Sequence, residues 1–180
     1  MNKLVPLLAL ALLAPAAGCK RADPQPPAPP PTPLSLLPPE TQTGQRTFGC
    51  LVNGQAWTPA GSPLGGPLLS AEYYNQTIYV YATRATTVNS ASVMQSIQIE
   101  IDSVNKVGVY SLYNANSRSA KLTDRVSQCL FTTDKTHQAS VNITRLDLVN
   151  RIVSGRFAFT LETPGCGKIV VTDGRFDSPF

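Results

Sequence analysis

The sequence predicts an all-β protein, a single antiparallel β-sandwich or an imperfect β-barrel of roughly nine to ten strands. Three observations carry this. Short apolar runs alternate with period two, turn residues bound nearly all of them, and no stretch sustains a helical period.

The β-domain opens at residue 47 with TFGCLVNGQAW, in which Phe48, Cys50 and Val52 share a face. Asn53-Gly54 is the strongest short signal for a two-residue hairpin, and Trp57 beyond it can close one end of a core if its indole N–H finds a partner. Thr58 to Pro67 is rich in Pro and Gly and reads as loop. LLSAEYY follows, then TIYVYATR after an Asn75-Gln76 turn, then SIQIEID, GVYSLY and SQCLFTT, each β-branched or aromatic. The C-terminal stretch from Val141 to Asp177 reads as VNITRLDLVN, RIVSGRFAFTLE and CGKIVVTDGRFD. Val153, Phe157, Phe159 and Leu161 fall on one face and Ser154, Arg156, Ala158 and Thr160 on the other. Gly155 marks a bulge or a close backbone approach. Val141 and Ile143 share a face that Leu146 and Leu148 leave, which places a bulge or strand end near Thr144 and Arg145. Leu148 to Arg151 is a hairpin connection, with Asn150 suited to positive φ.

Composition bounds the class. Of 180 residues, 42% are hydrophobic and 14% charged, enough for one domain with a core. Ser, Thr, Asn and Gln carry the polar share, which suits an exported β-protein. From Thr47 onward eleven Lys and Arg stand against nine Asp and Glu, and with no basic stripe among them no nucleic-acid partner is expected.

The N-terminus points to delivery. Lys3 gives a basic start, Leu4 to Ala14 a short apolar core, and Ala16-Ala17-Gly18-Cys19 a small-residue cleavage site ending in cysteine. This resembles the lipobox of bacterial lipoproteins, with Ala16 where that motif more often has Leu. The resemblance implies a signal peptide over residues 1–18 and acylation of Cys19, and therefore a membrane as partner, since two acyl chains already anchor a protein stably. The rivals are ordinary signal-peptide cleavage nearby and a retained membrane anchor, the second disfavoured because an apolar core of about 11 residues falls short of the ~20 a spanning helix needs. Residues 19–46 form a tether in which nine of the sixteen residues from Pro24 to Pro39 are proline, so a polyproline II spacer is expected. Leu34, Leu36 and Leu37 interrupt it, either docked or as a solvated kink. Lys20-Arg21 after the cysteine is basic and does not resemble an acidic surface-export signal, which tilts the expected location to the periplasmic side of the outer membrane.

Taken together, the lipobox and tether, FGCLVNG followed by AW, NITRLD, RIVSGRFAF and VTDGRFD resemble an uncharacterised family of small lipoproteins of the Bacteroidota, over about residues 46 to 180. The resemblance implies class and compartment and supplies no mechanism. Arg156 departs from it, standing where a smaller residue such as Thr is expected. Asp102-Ser103-Val104 resembles the O-glycosylation acceptor of the same phylum, with Ser103 as the site.

Cys50, Cys129 and Cys166 remain once Cys19 is acylated, an odd number that suggests one disulfide and one buried thiol in an oxidising compartment. Cys50 with Cys166 is the expected pair, tying the two ends of the domain, while Cys129 alternates with Phe131 as a core residue. With no CxxC and a single histidine, no metal or cofactor is expected. No nucleophile elbow, P-loop or HExxH is present, and His137 lies in a polar turn, so no enzyme is expected. Glu100 and Asp102 share a face as acid–base or calcium candidates, though the solvent face of a half-buried strand accounts for them. Asp173 and Asp177 flank Arg175, where a surface ion pair is expected.

Binding is the better reading. Ile78, Val80 and Ala82 suit the core, leaving Tyr79 and Tyr81 with Thr77 and Thr83 on the opposite face. Such tyrosines stack on sugar rings or anchor a protein partner, whereas a central strand covered on both faces would bury them. The expected function is a non-catalytic, lipid-anchored binding module for a glycan or an envelope protein, with a lipocalin-like carrier of a small apolar molecule as the alternative.

Overall fold

The computed structural model describes residues 30–62, 66–88, 90–113 and 117–180. Among these residues twelve strands form: β1 (Thr47–Val52), β2 (Gln55–Trp57), β3 (Ala60–Gly61), β4 (Leu69–Tyr74), β5 (Thr77–Val88), β6 (Ala91–Ile101), β7 (Gly108–Ser111), β8 (Arg118–Asp124), β9 (Cys129–Thr132), β10 (Ala139–Asp147), β11 (Ile152–Thr163) and β12 (Gly167–Pro179). They form two sheets packed as a sandwich, so the barrel alternative is excluded. Sheet A runs β2-β1-β12-β11-β10-β7. Sheet B runs β3-β5-β6-β8-β9, with β4 pairing beside β3 along the same edge of β5.

The strand count exceeds expectation chiefly through β8, whose RSAKLTD buries only Ser119, Ala120 and Leu122 and so lacks a β-branched or aromatic run. The hairpins follow their turn chemistry. Asn53 and Gly54 take φ of 49° and 77°, and Asn75 and Gln76 take 47° and 62°, the positive values that match the twist of flanking strands. Between β10 and β11 the positive φ belongs to Arg151 at 55°, not Asn150. Asp147 builds that turn by accepting from the backbone N–H groups of Val149 and Asn150 at 3.1 and 2.9 Å.

The expected slip in β10 is a bulge between Ile143 and Arg145. Gly155, by contrast, marks a close approach: a Cβ there would lie 2.8 Å from the Asn142 carbonyl and 2.9 Å from the Phe176 ring. A second bulge falls in β12, where Thr172 and Asp173 stand between Val171, opposite Phe159, and Gly174, opposite Phe157.

The core lies between the sheets. Ile78, Val80, Ile97, Ile99 and Ile101 from sheet B meet Val141, Ile143, Val153, Phe159 and Leu161 from sheet A, all essentially inaccessible to solvent. Phe157 stacks with Phe159 and packs on Phe48, with centroids 5.7 and 5.1 Å apart. Trp57 closes one end, and its Nε1–H donates to Gln95 Oε1 at 3.0 Å, which supplies the partner an indole needs there.

The end of the proline-rich stretch packs on this sandwich. Thr32 caps a short 3-10 turn over Pro33–Leu36, so the polyproline run is broken there. Leu34 and Leu36 are half exposed, whereas Leu37 is buried. Pro38 then lies on Gly49, so close that a Cβ at Gly49 would come within 2.6 Å of it.

Candidate binding site

Alternation along β5 puts Ile78, Val80 and Ala82 into the core and turns Tyr79 and Tyr81 onto the outer face of sheet B. Antiparallel register aligns two neighbouring rows across that face. One reads Glu72, Tyr79, Glu100, Ser119, and the next reads Ser70, Tyr81, Gln98, Lys121, Thr132. Tyr81 is 37% exposed, and Tyr79 beside it is half-buried. Desolvation raises the Tyr79 hydroxyl pKa, and the neighbouring Glu100, Asp102 and Glu72 carboxylates add to that rise. The face therefore offers two aromatic rings ringed by carboxylate, amide, hydroxyl and ammonium groups.

Glu100 stands in this face, but Asp102 is engaged. It accepts from the Thr77 and Ser103 hydroxyls, both at 3.1 Å, and these bonds, Thr77 first, hold its carboxyl below the ordinary value. Among the described residues no group of three or more His, Cys, Asp or Glu is placed to hold a metal. Ser103 is exposed at the loop apex, with Val104 buried beneath.

His137 is not the solvated turn residue expected. Its Nδ1 lies 3.0 Å from Asp134 Oδ2 and its Nε2 lies 3.2 Å from Glu162 Oε2, so the ring ties the β9–β10 loop to β11.

The cysteine pairing is also corrected. Cys129 bonds to Cys166 with Cα atoms 5.9 Å apart, and Cys50 is the free thiol. Edge strand β9 runs against the end of the β11–β12 hairpin, where Thr163 Oγ1 donates to the Leu130 carbonyl at 2.9 Å, so the bridge joins sheet B to sheet A. Cys50 faces the core instead, and burial pushes its thiol pKa up to about 12, which makes it inert. Cys19 lies outside the described residues.

Asp177 is the largest departure from expectation. It makes no surface pair with Arg175; it is wholly buried on the outer face of sheet A beneath Thr41 to Gln45. It accepts from Ser154 Oγ at 2.7 Å, Thr41 Oγ1 at 2.7 Å and the N–H groups of Thr43, Gly44 and Gln45 at 2.9 to 3.0 Å. Burial pushes its pKa up, but the N–H of Gln45, the Ser154 and Thr41 hydroxyls and the N–H of Gly44 outweigh that and bring it to about 2. Arg145 adds a bond to the Gln42 carbonyl, and Arg156 pairs with Glu40. Residues 37 to 45 thus form a strap over sheet A. The legible signal is the donor-rich Thr41-Gln42-Thr43-Gly44 before the first strand, within the segment expected to be spacer.

A family model described as a domain of unknown function (DUF6252) matches residues 67–178. No curated protein and no solved structure matches the chain. The matched span holds β4 to β11 and nearly all of β12, and with it the tyrosine rows, the disulfide and Asp177. The chain belongs to this DUF6252 family of unknown function.

Proposed function

We propose that this protein is a non-catalytic saccharide-binding module of the cell envelope, held at the outer membrane by acyl chains on Cys19. The observation that carries the reading is the pair of rows centred on Tyr79 and Tyr81. A sugar ring presents C–H groups on one face and hydroxyls at its edge. A tyrosine face flanked by Glu72, Gln98, Glu100 and Lys121 meets both requirements, stacking below and hydrogen bonding around. The strap covers part of sheet A's outer face and leaves this one open.

The carrier alternative draws no support from a core filled by Phe159, Ile97, Ile99, Leu122 and Leu161, all essentially inaccessible. The grooves among the described residues lie on the surface and not in the core: those around Arg156 and Arg175 are lined largely by polar side chains, and the apolar one, among Leu36, Leu37, Pro38, Phe48 and Leu69, is an open cleft beside the start of the strap.

Glycan-array binding of the full-length protein tests the reading. Tyr81→Ala is expected to weaken retained glycans by roughly three- to tenfold, the worth of one aromatic contact. Unchanged binding in both Tyr79→Ala and Tyr81→Ala refutes it, and capture of an envelope protein through the same face would replace the saccharide by a protein partner. Anchoring is tested separately: Cys19→Ala should lose acyl label and leave the membrane fraction.

A further inference from the structure

On the outer face of sheet A, a row crosses five strands as Gly49, Arg175, Arg156, Asn142 and Val109. Arg175 and Arg156 stand directly opposite each other, an arrangement that like-charge repulsion disfavours unless an anion lies between them. The strap supplies one. Glu40 engages Arg156 in a two-pronged pair, Nε to Oε1 and Nη2 to Oε2, the second bond being 2.6 Å, and the pair is largely exposed. Arg175 makes no ion pair among the described residues. Two grooves flank Glu40 and share both arginines. One of ≈ 260 Å³ lies toward Thr41, Gln42 and Thr144, and the other of ≈ 530 Å³ lies toward Ser140, Asn142 and Ala158. The side chains of Asn142 and Ser140 in the larger groove make no hydrogen bond among the described residues.

We propose that Arg156 and Arg175 form a binding site for an oxyanion carried on a polyol, with Glu40 as its intramolecular stand-in. The two guanidiniums receive the carboxylate or phosphate, for which Arg's planar fork is suited. Asn142 and Ser140 face the adjoining hydroxyls. The strap need not leave when the anion binds, because the Asp177 clamp and Leu37 hold it on either side of Glu40. Only the Glu40 side chain has to swing away. The site lies on the sheet opposite the tyrosine face and is independent of it.

Two sources of this chemistry are separable with soluble probes at constant ionic strength on the full-length protein. D-glucuronate represents a sugar acid, sn-glycerol 3-phosphate represents a lipid headgroup, and glucose and glycerol serve as neutral controls. At least one anionic probe should bind, and whichever binds more tightly identifies the source. Arg175→Gln and Arg156→Gln should each weaken it by about tenfold. Glu40→Gln should tighten it by roughly threefold, since it removes an exposed competing pair. Thermal midpoints of the variants separate lost binding from lost folding, and Arg175→Lys, which keeps the charge, should retain part of the affinity. Failure of both anionic probes, binding that survives Arg175→Gln, or no gain in Glu40→Gln would overturn the proposal.

Discussion

Asp177 shows how one side chain can decide where a domain begins. The folded carboxyl, at about 2, binds its proton less readily than an unfolded aspartate at about 3.9. Its contribution is therefore whole above about pH 5 and is lost as the pH falls through that interval toward about 2. Asp177→Asn turns one acceptor into a donor facing N–H groups. It is expected to cost about 2 kcal/mol at neutral pH and to flatten the acid limb of a stability–pH curve measured by urea denaturation. Retention of the full acid limb would assign it to other carboxylates. None of this was legible in GRFD alone. Strand alternation puts Arg175 and Asp177 on the same outer face, but whether that face is wet or covered depends on a segment over a hundred residues away. Gly174 is a second residue of this kind. A Cβ there would fall 2.4 Å from the Phe157 ring and 2.5 Å from its carbonyl oxygen, so Gly174→Ala should cost about 1–3 kcal/mol by the same measurement.

At the scale of elements, most of the fold was readable, because period-two alternation and positive-φ turn residues are local signals. The β1–β2 and β4–β5 hairpins and the β10 bulge stand where those signals put them. The Cys129–Cys166 pairing is not legible locally, because pairing is a property of neighbouring strand ends. No local signal sets β9 against the β11–β12 hairpin, and the alternation of Cys129 with Phe131 suits a core residue. Closing the 37-residue separation between Cys129 and Cys166 should stabilise the fold by about 3–4 kcal/mol on the chain-entropy model. Non-reducing peptide mapping is expected to recover a Cys129–Cys166 peptide, with Cys50 alkylated only after denaturation. A Cys50–Cys166 peptide, or rapid native alkylation of Cys50, would contradict this topology.

Over the whole molecule, the two outer sheet faces are unlike. Sheet A carries a strap tied down by a buried carboxylate and an arginine pair, while sheet B presents tyrosines among polar groups to solvent. The fold class followed from composition and periodicity, whereas the candidate site was only half legible. Alternation places Tyr79 and Tyr81 on one face, but which groups surround them is set by the register of β4, β6 and β8, and β8 carries no β-branched or aromatic run to signal it. The saccharide-binding role is the central claim, and ligand-dependent stability tests it most directly. The thermal midpoint of the full-length protein would be compared across panels of glycans, fatty acids and envelope extract, for the wild type and for Tyr81→Ala. A ligand at a hundred times its dissociation constant adds about 2.7 kcal/mol, a shift of roughly 5 to 10 °C for a domain of this size. The account predicts such a shift with a glycan and its reduction in Tyr81→Ala. A shift with fatty acids alone, or a glycan shift indifferent to Tyr81→Ala, would contradict it.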